Sequence, residues 1–197
     1  MASCFSTGRV SDSALKASFI LVCFLLTGCV RLAPLPVFGH VPDFTLTSQS
    51  GEPFDGKSLD GKIWVADFIY THCPGPCPRM SSQMRRVQSA VTEIPEVRLV
   101  SFSVDPERDT PAVLAEYAQR YQAQPGRWFF LTGDRKTIDS LDRRAFMLGN
   151  VDGTLQHSTR FVLIDRHGSI RGYYGTSDDD PTARLIVDIR RLARDNS

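Results

Sequence analysis

The stretch that most constrains the fold runs from Ile63 to Val91. Ile63 to Tyr70 (Ile-Trp-Val-Ala-Asp-Phe-Ile-Tyr) is a nearly continuous apolar run, as in a central strand buried on both faces. It leads through Thr71 and His72 into Cys73-Pro74-Gly75-Pro76-Cys77-Pro78. Beyond that loop Met80, Met84, Val87 and Val91 follow at spacings of 4, 3 and 4, one face of a helix. Three prolines and a glycine keep the loop irregular until Pro78, which suits a first helical position. Cys77 is then predicted near the N-cap with Cys73 just before it. Both sulfurs would lie at a positive helix end, where the thiolate is favoured as nucleophile and as metal ligand.

The rest of the chain repeats the strand-then-helix pattern. Phe44 to Thr47 followed by Ser50-Gly51-Glu52-Pro53 predicts a strand entering a hairpin, and Val97 to Val104 a second long strand. Thr110-Pro111 predicts an N-capped helix lined by Leu114, Tyr117 and Tyr121. Trp128 to Thr132 is a third strand, and Lys136 to Met147 a helix with Ile138 and Leu141 inward. Arg160 to Asp165 and Ser169 to Tyr174 flank a hairpin turn at Arg166-His167-Gly168. Asp180-Pro181 opens a last helix carrying Leu185, Ile186, Ile189 and Leu192. The predicted fold class is α/β and thioredoxin-like: a central mixed sheet flanked by helices, with an extra N-terminal hairpin. In such sheets ligands bind beyond the carboxyl ends of the strands, where the two cysteines stand.

At the N-terminus, Arg9 and Lys16 precede an apolar run from Ala17 to Leu26 that ends in Leu26-Thr27-Gly28-Cys29. This has the form of a secretion signal and is short for a bilayer crossing. Leu-Thr-Gly-Cys resembles the lipobox of bacterial lipoproteins, whose cysteine carries the lipid. The expected organisation is a signal peptide over 1–28, a lipidated tether over 29–40 and one domain over 41–197, on the extracytoplasmic side of a bacterial cell envelope. Of five cysteines, Cys4 and Cys23 then leave with the signal and Cys29 carries lipid. Cys73 and Cys77 remain, too close in sequence for a disulfide between them to add much stability. The net charge of +1 gives no electrostatic support for nucleic-acid binding, and the arginine pairs at 85–86, 143–144 and 190–191 read as solvated helix faces.

Three residues rather than two separate the cysteines, which relaxes the dithiol geometry toward a chelate. The chain has no proline between Pro125 and Pro181, where thioredoxins place a cis-proline, and offers Leu155-Gln156-His157-Ser158 instead. Two thiolates and an imidazole form a soft site suited to copper. Cys73, Cys77 and His157 are therefore the candidate metal ligands, and Cys73 and Cys77 a candidate redox pair. His72 could modulate Cys73 or be an exposed loop histidine. Asp105 could support the site or serve a turn. His40 and His167 are weaker ligand candidates, and the helical spacing of Met80 and Met84 marks them as core residues.

The chain resembles the Sco/SenC family. The resemblance rests on Tyr-Thr-His-Cys-Pro-x-x-Cys-Pro at 70–78, Ser-Val-Asp-Pro-Glu-Arg-Asp-Thr-Pro at 103–111, and His157-Ser158 before a strand ending Leu163-Ile164-Asp165-x-x-Gly168. It covers roughly residues 40–195. It implies a copper site of Cys73, Cys77 and His157 used to mature the binuclear copper centre of cytochrome c oxidase subunit II. Further partners implied are other extracytoplasmic copper chaperones or thioredoxin-like reductases. Gly75-Pro76 and Gln156 stand where many members carry aspartates, which removes two carboxylates that could tune the metal. The alternative is a thiol–disulfide reductase that keeps the copper-ligand cysteines of that acceptor reduced. A peroxiredoxin-type activity lacks its proline and threonine, since Ala66 and Tyr70 occupy those positions. A zinc site has no acidic group placed as a general base.

Overall fold

The buried run forms the middle of the sheet. The computed structural model of the protein describes residues 33–147, 159–175 and 180–195. In chain order its strands are β1 (Gly39–His40), β2 (Thr45–Ser48), β3 (Pro53–Asp55), β4 (Ile63–Ile69), β5 (Val97–Ser103), β6 (Trp128–Thr132), β7 (Arg160–Ile164) and β8 (Ser169–Gly175). The helices are α1 (Pro76–Ala90), α2 (Pro111–Arg120), α3 (Arg135–Ser140) and α4 (Pro181–Arg194). The strands join into one eight-stranded sheet in the order β1-β8-β7-β4-β5-β6-β2-β3. The central three, β4, β5 and β6, are parallel, as their helical crossovers require. The β7–β8 hairpin adds to β4 antiparallel, and the β2–β3 hairpin adds antiparallel to β6. This is the expected mixed sheet with its extra hairpin.

Every residue of β4 is buried. Ile63, Val65 and Ile69 face a layer formed with Met80, Met84 and Val87 of α1, Leu114 and Tyr117 of α2, and Leu185, Ile189 and Leu192 of α4. Trp64, Ala66 and Phe68 face the other way, against Phe102 and Phe146. Full burial of such side chains contributes about 1.5–3 kcal/mol each, so this strand anchors both layers. Met80 and Met84 are wholly buried, in agreement with their reading as core.

Three details depart from the sequence reading. Helix α1 begins at Pro76, with Gly75 as N-cap, two residues before Pro78. Pro76 and Pro78 both fit because the first N–H groups of a helix have no intrahelical acceptor, so a proline there loses nothing. The segment read as one helix from Lys136 to Met147 is a short α3 followed by a π-turn over Leu141–Ala145.

The third concerns the stretch expected as tether. From Leu35 the chain belongs to the compact unit, and Gly39–His40 pairs with β8. Arg171 ties it down, donating to the carbonyls of Leu35 (2.5 Å) and Pro36 (3.0 Å) and to Asp165 Oδ2 (2.6 Å). At the β7–β8 turn Gly168 has φ +75°, and a Cβ there would come within 2.9 Å of the His40 ring. Glycine is required on both counts. No helix among the described residues is long and apolar enough to cross a membrane.

Candidate metal centre

The carboxyl end of β4 delivers Tyr70, Thr71 and His72 to the surface and returns the chain at Cys73, whose N–H donates to the Tyr70 carbonyl (3.3 Å). Gly75 offers α1 no capping side chain. The sulfur of Cys73 takes that role: it accepts hydrogen bonds from the backbone N–H groups of Cys77 and Gly75, and from the side chains of Cys77 and Tyr70. With prolines on both sides of Cys77, its N–H is the donor left in the first turn to aim at that sulfur.

Neither cysteine is in a disulfide; Cys73 is 7 % exposed and Cys77 is fully enclosed. Burial raises the Cys73 thiol, but the donors converging on its sulfur outweigh it and hold the group below the ordinary thiol range. Burial dominates at Cys77 and pushes that thiol well up, with the neighbouring Cys73 and Asp67 charges acting in the same direction. The pair is therefore asymmetric: Cys73 ionises first, and Cys77 keeps its proton and donates it toward the Cys73 sulfur. Tyr70, bonded to that sulfur, is in turn raised.

Asp67 lies beneath this site on the α1 side of β4, fully buried. Its Oδ1 accepts from Ser101 Oγ (2.6 Å), which accepts from Trp128 Nε1 (3.0 Å), while Oδ2 has no partner. Burial pushes its carboxyl up to about 7. Sequence reading passed over this residue as one polar interruption of an apolar run.

The other candidates are dispersed. His40 Nε2 donates to the His167 carbonyl (2.7 Å), and both lie by the β7–β8 turn, at the opposite end of the sheet from Cys73. His72 is exposed, its Nδ1 3.0 Å from Thr71 Oγ1. Asp105 serves its turn, its carbonyl accepting from the N–H groups of Arg108 (3.1 Å) and Asp109 (2.9 Å). His157 and Cys29 lie outside the described residues. Among the described residues no three His, Cys, Asp or Glu side chains gather as for a metal. The two sulfurs nonetheless suit a soft cation: they are adjacent, shielded and set at a helix start that favours negative charge.

The SCO1/SenC family model matches residues 32–194. A SCO1/SenC family lipoprotein from Bacillus anthracis is 34% identical, with a TM-score of 0.73 over 82% of this chain and 99% of that one. BsSco, a member of the Sco family of cytochrome c oxidase assembly proteins with a disulfide switch, is 30% identical, with a TM-score of 0.71 over 81% and 96%. Bradyrhizobium japonicum ScoI with copper bound is 29% identical, with a TM-score of 0.64 over 78% and 99%. With its β4–Cys-x-x-x-Cys–α1 junction and its matched length, the chain belongs to the SCO1/SenC family.

Proposed function

We propose that this protein is a copper metallochaperone that binds copper through Cys73, Cys77 and His157 and delivers it to the binuclear copper centre of cytochrome c oxidase subunit II. The observation that carries the reading is the pair of adjacent shielded sulfurs at the start of α1, one of them primed as thiolate. Copper-bound relatives and the oxidase-assembly role of the family support it. Both sulfurs must be deprotonated to ligate, so a disulfide between Cys73 and Cys77 removes two of three donors. Copper analysis of the reduced and the disulfide forms tests this. The reduced form is expected to hold one copper and the oxidised form none; stoichiometric copper on the oxidised form would put the site elsewhere.

The asymmetry of the two thiols favours a second reading, a thiol–disulfide reductase for the same acceptor. The Cys73 thiolate attacks an acceptor disulfide to give a mixed disulfide, and Cys77 then releases it. The acceptor leaves with two thiols while Cys73 and Cys77 become a disulfide. A thioredoxin-like reductase would have to restore the pair.

Anchoring through a lipid on Cys29, with the domain on the extracytoplasmic side of the cell envelope, completes the proposal. The Leu26-Thr27-Gly28-Cys29 sequence supports it, as does the lipoprotein relative. Cys29→Ser is expected to lose all palmitate label; a variant labelled like the wild type would remove the anchor from the account.

A further inference from the structure

Asp109 is fully buried, and its carboxylate accepts three hydrogen bonds. Thr71 N–H donates to Oδ2 (3.1 Å), Thr71 Oγ1–H to Oδ1 (2.6 Å) and Ser103 Oγ–H to Oδ2 (2.6 Å). Asp109 comes from the turn between β5 and α2, 38 residues from Thr71 in sequence. That turn is itself held: Asp109 N–H donates to the Asp105 carbonyl (2.9 Å), and Asp105 N–H to Ser103 Oγ (3.1 Å). Thr110 then caps α2 by accepting from Val113 N–H. The carboxylate thus sits on a frame fixed at both ends, and it grips Thr71 by backbone and side chain together.

Thr71 stands two residues before Cys73. On the far side of Cys73 the prolines restrict the loop toward Cys77; on the near side the grip on Thr71 does so. Its hydroxyl also sets the neighbouring ring. That hydroxyl has one hydrogen, committed to Asp109, so in the 3.0 Å contact with His72 it is Nδ1–H that donates. Nε2 is thereby left as the nitrogen without a proton on the neutral, exposed imidazole. A buried carboxylate is a poor route to stability alone, since apolar replacements often match it. Two of its three donors come from one residue of the metal loop, Thr71, which indicates a geometric task.

We propose that Asp109 is the positioning residue of the metal loop: through Thr71 it holds Cys73 in the place relative to Cys77 that copper binding and dithiol exchange both require. This rests on the reading of Cys73 and Cys77 as ligands and redox pair. Copper and the dithiol potential are measured separately, so that the two ideas can fail separately.

The test uses Thr71→Val, which keeps the shape and the N–H but removes the hydroxyl, Thr71→Ser, which keeps the hydroxyl, and Asp109→Asn. Copper(I) affinity is measured by chelator competition on the reduced protein, the Cys73–Cys77 equilibrium in glutathione buffers, and stability by thermal melting. Thr71→Val and Asp109→Asn are expected to lose about 10–100-fold in copper(I) affinity, as when groups supporting a metal ligand are removed. Their dithiol equilibrium should shift at least tenfold, about 30 mV. Thr71→Ser should stay close to wild type in both. If Asp109→Asn does not fold, the two Thr71 variants decide the matter. A folded Thr71→Val with wild-type affinity and potential overturns the proposal, as does Thr71→Ser failing as badly as Thr71→Val. If the wild type binds no copper, the chaperone reading falls, and the potential alone still decides the role of Asp109.

Discussion

His157→Ala is expected to weaken copper(I) binding by orders of magnitude while thiol–disulfide exchange at Cys73 changes only a few-fold. Removing a group that merely supports a ligand costs about 10–100-fold, and removing one of three ligands costs more. Exchange depends on thiolate fraction, access and leaving group. Those are set at Cys73 by the N–H groups of Gly75 and Cys77 and by the Cys77 and Tyr70 side chains, all of which the substitution leaves in place. The same variant separates the two functions in cells. A chaperone lacking His157 loses oxidase activity at limiting copper and regains part of it when copper is added. Normal oxidase assembly in His157→Ala cells, beside failure of Cys73→Ser cells, would make the reductase reading the correct one.

Asp67→Asn is expected to stabilise the reduced protein at pH 8 and to flatten its stability profile between pH 5 and 8. The Asp67 carboxyl titrates near 3.8 when unfolded and is raised to about 7 by burial in the fold. A carboxyl raised on folding favours the native state fully below its unfolded pKa, and that contribution is lost as pH climbs through the folded value. The loss amounts to about 4 kcal/mol above pH 7, of which about 3 kcal/mol falls between pH 5 and 8. Asparagine keeps the shape and an acceptor for Ser101 and has no charge to bury. Its second amide position faces the place where Oδ2 has no partner, so part of the gain is offset by an unsatisfied donor, about 1–3 kcal/mol. Denaturant titrations at both pH values measure this. Parallel pH profiles for wild type and variant would mean that Asp67 is not the buried acid described above.

Local signals in the sequence carried the elements that dominate the core. Trp128–Thr132 and the Thr110-Pro111 helix start stand where the residues put them, because a short apolar strand and an N-cap followed by proline are decided within a few residues. What was not legible depends on distant partners or on equal alternatives. Pro76 and Pro78 both suit the first position of α1, and nothing local chose Pro76. Gly39–His40 is too short to show a period and becomes a strand only because β8 presents its edge. The π-turn at Leu141–Ala145 breaks the 3.6-residue spacing that a helix reading assumes.

At the site, the two cysteines announced themselves by their spacing and their prolines. The residues that tune and hold them did not. Asp67 is one acidic residue in an otherwise apolar run, and Asp109 is one of two aspartates between Val104 and Pro111, with no local mark to set either apart. The meaning of each comes from where the sheet places its side chain, buried where its charge acts on Cys77 in one case and hydrogen-bonded to Thr71 in the other.

X-ray absorption at the copper edge of the reduced, copper(I)-loaded protein tests the central claim most directly, because it counts donor atoms without reference to activity. The account predicts two sulfurs and one imidazole nitrogen on a single copper, with the nitrogen contribution gone in His157→Ala and one sulfur gone in Cys73→Ser. A copper surrounded by nitrogen and oxygen donors, or a spectrum that neither substitution changes, would contradict it.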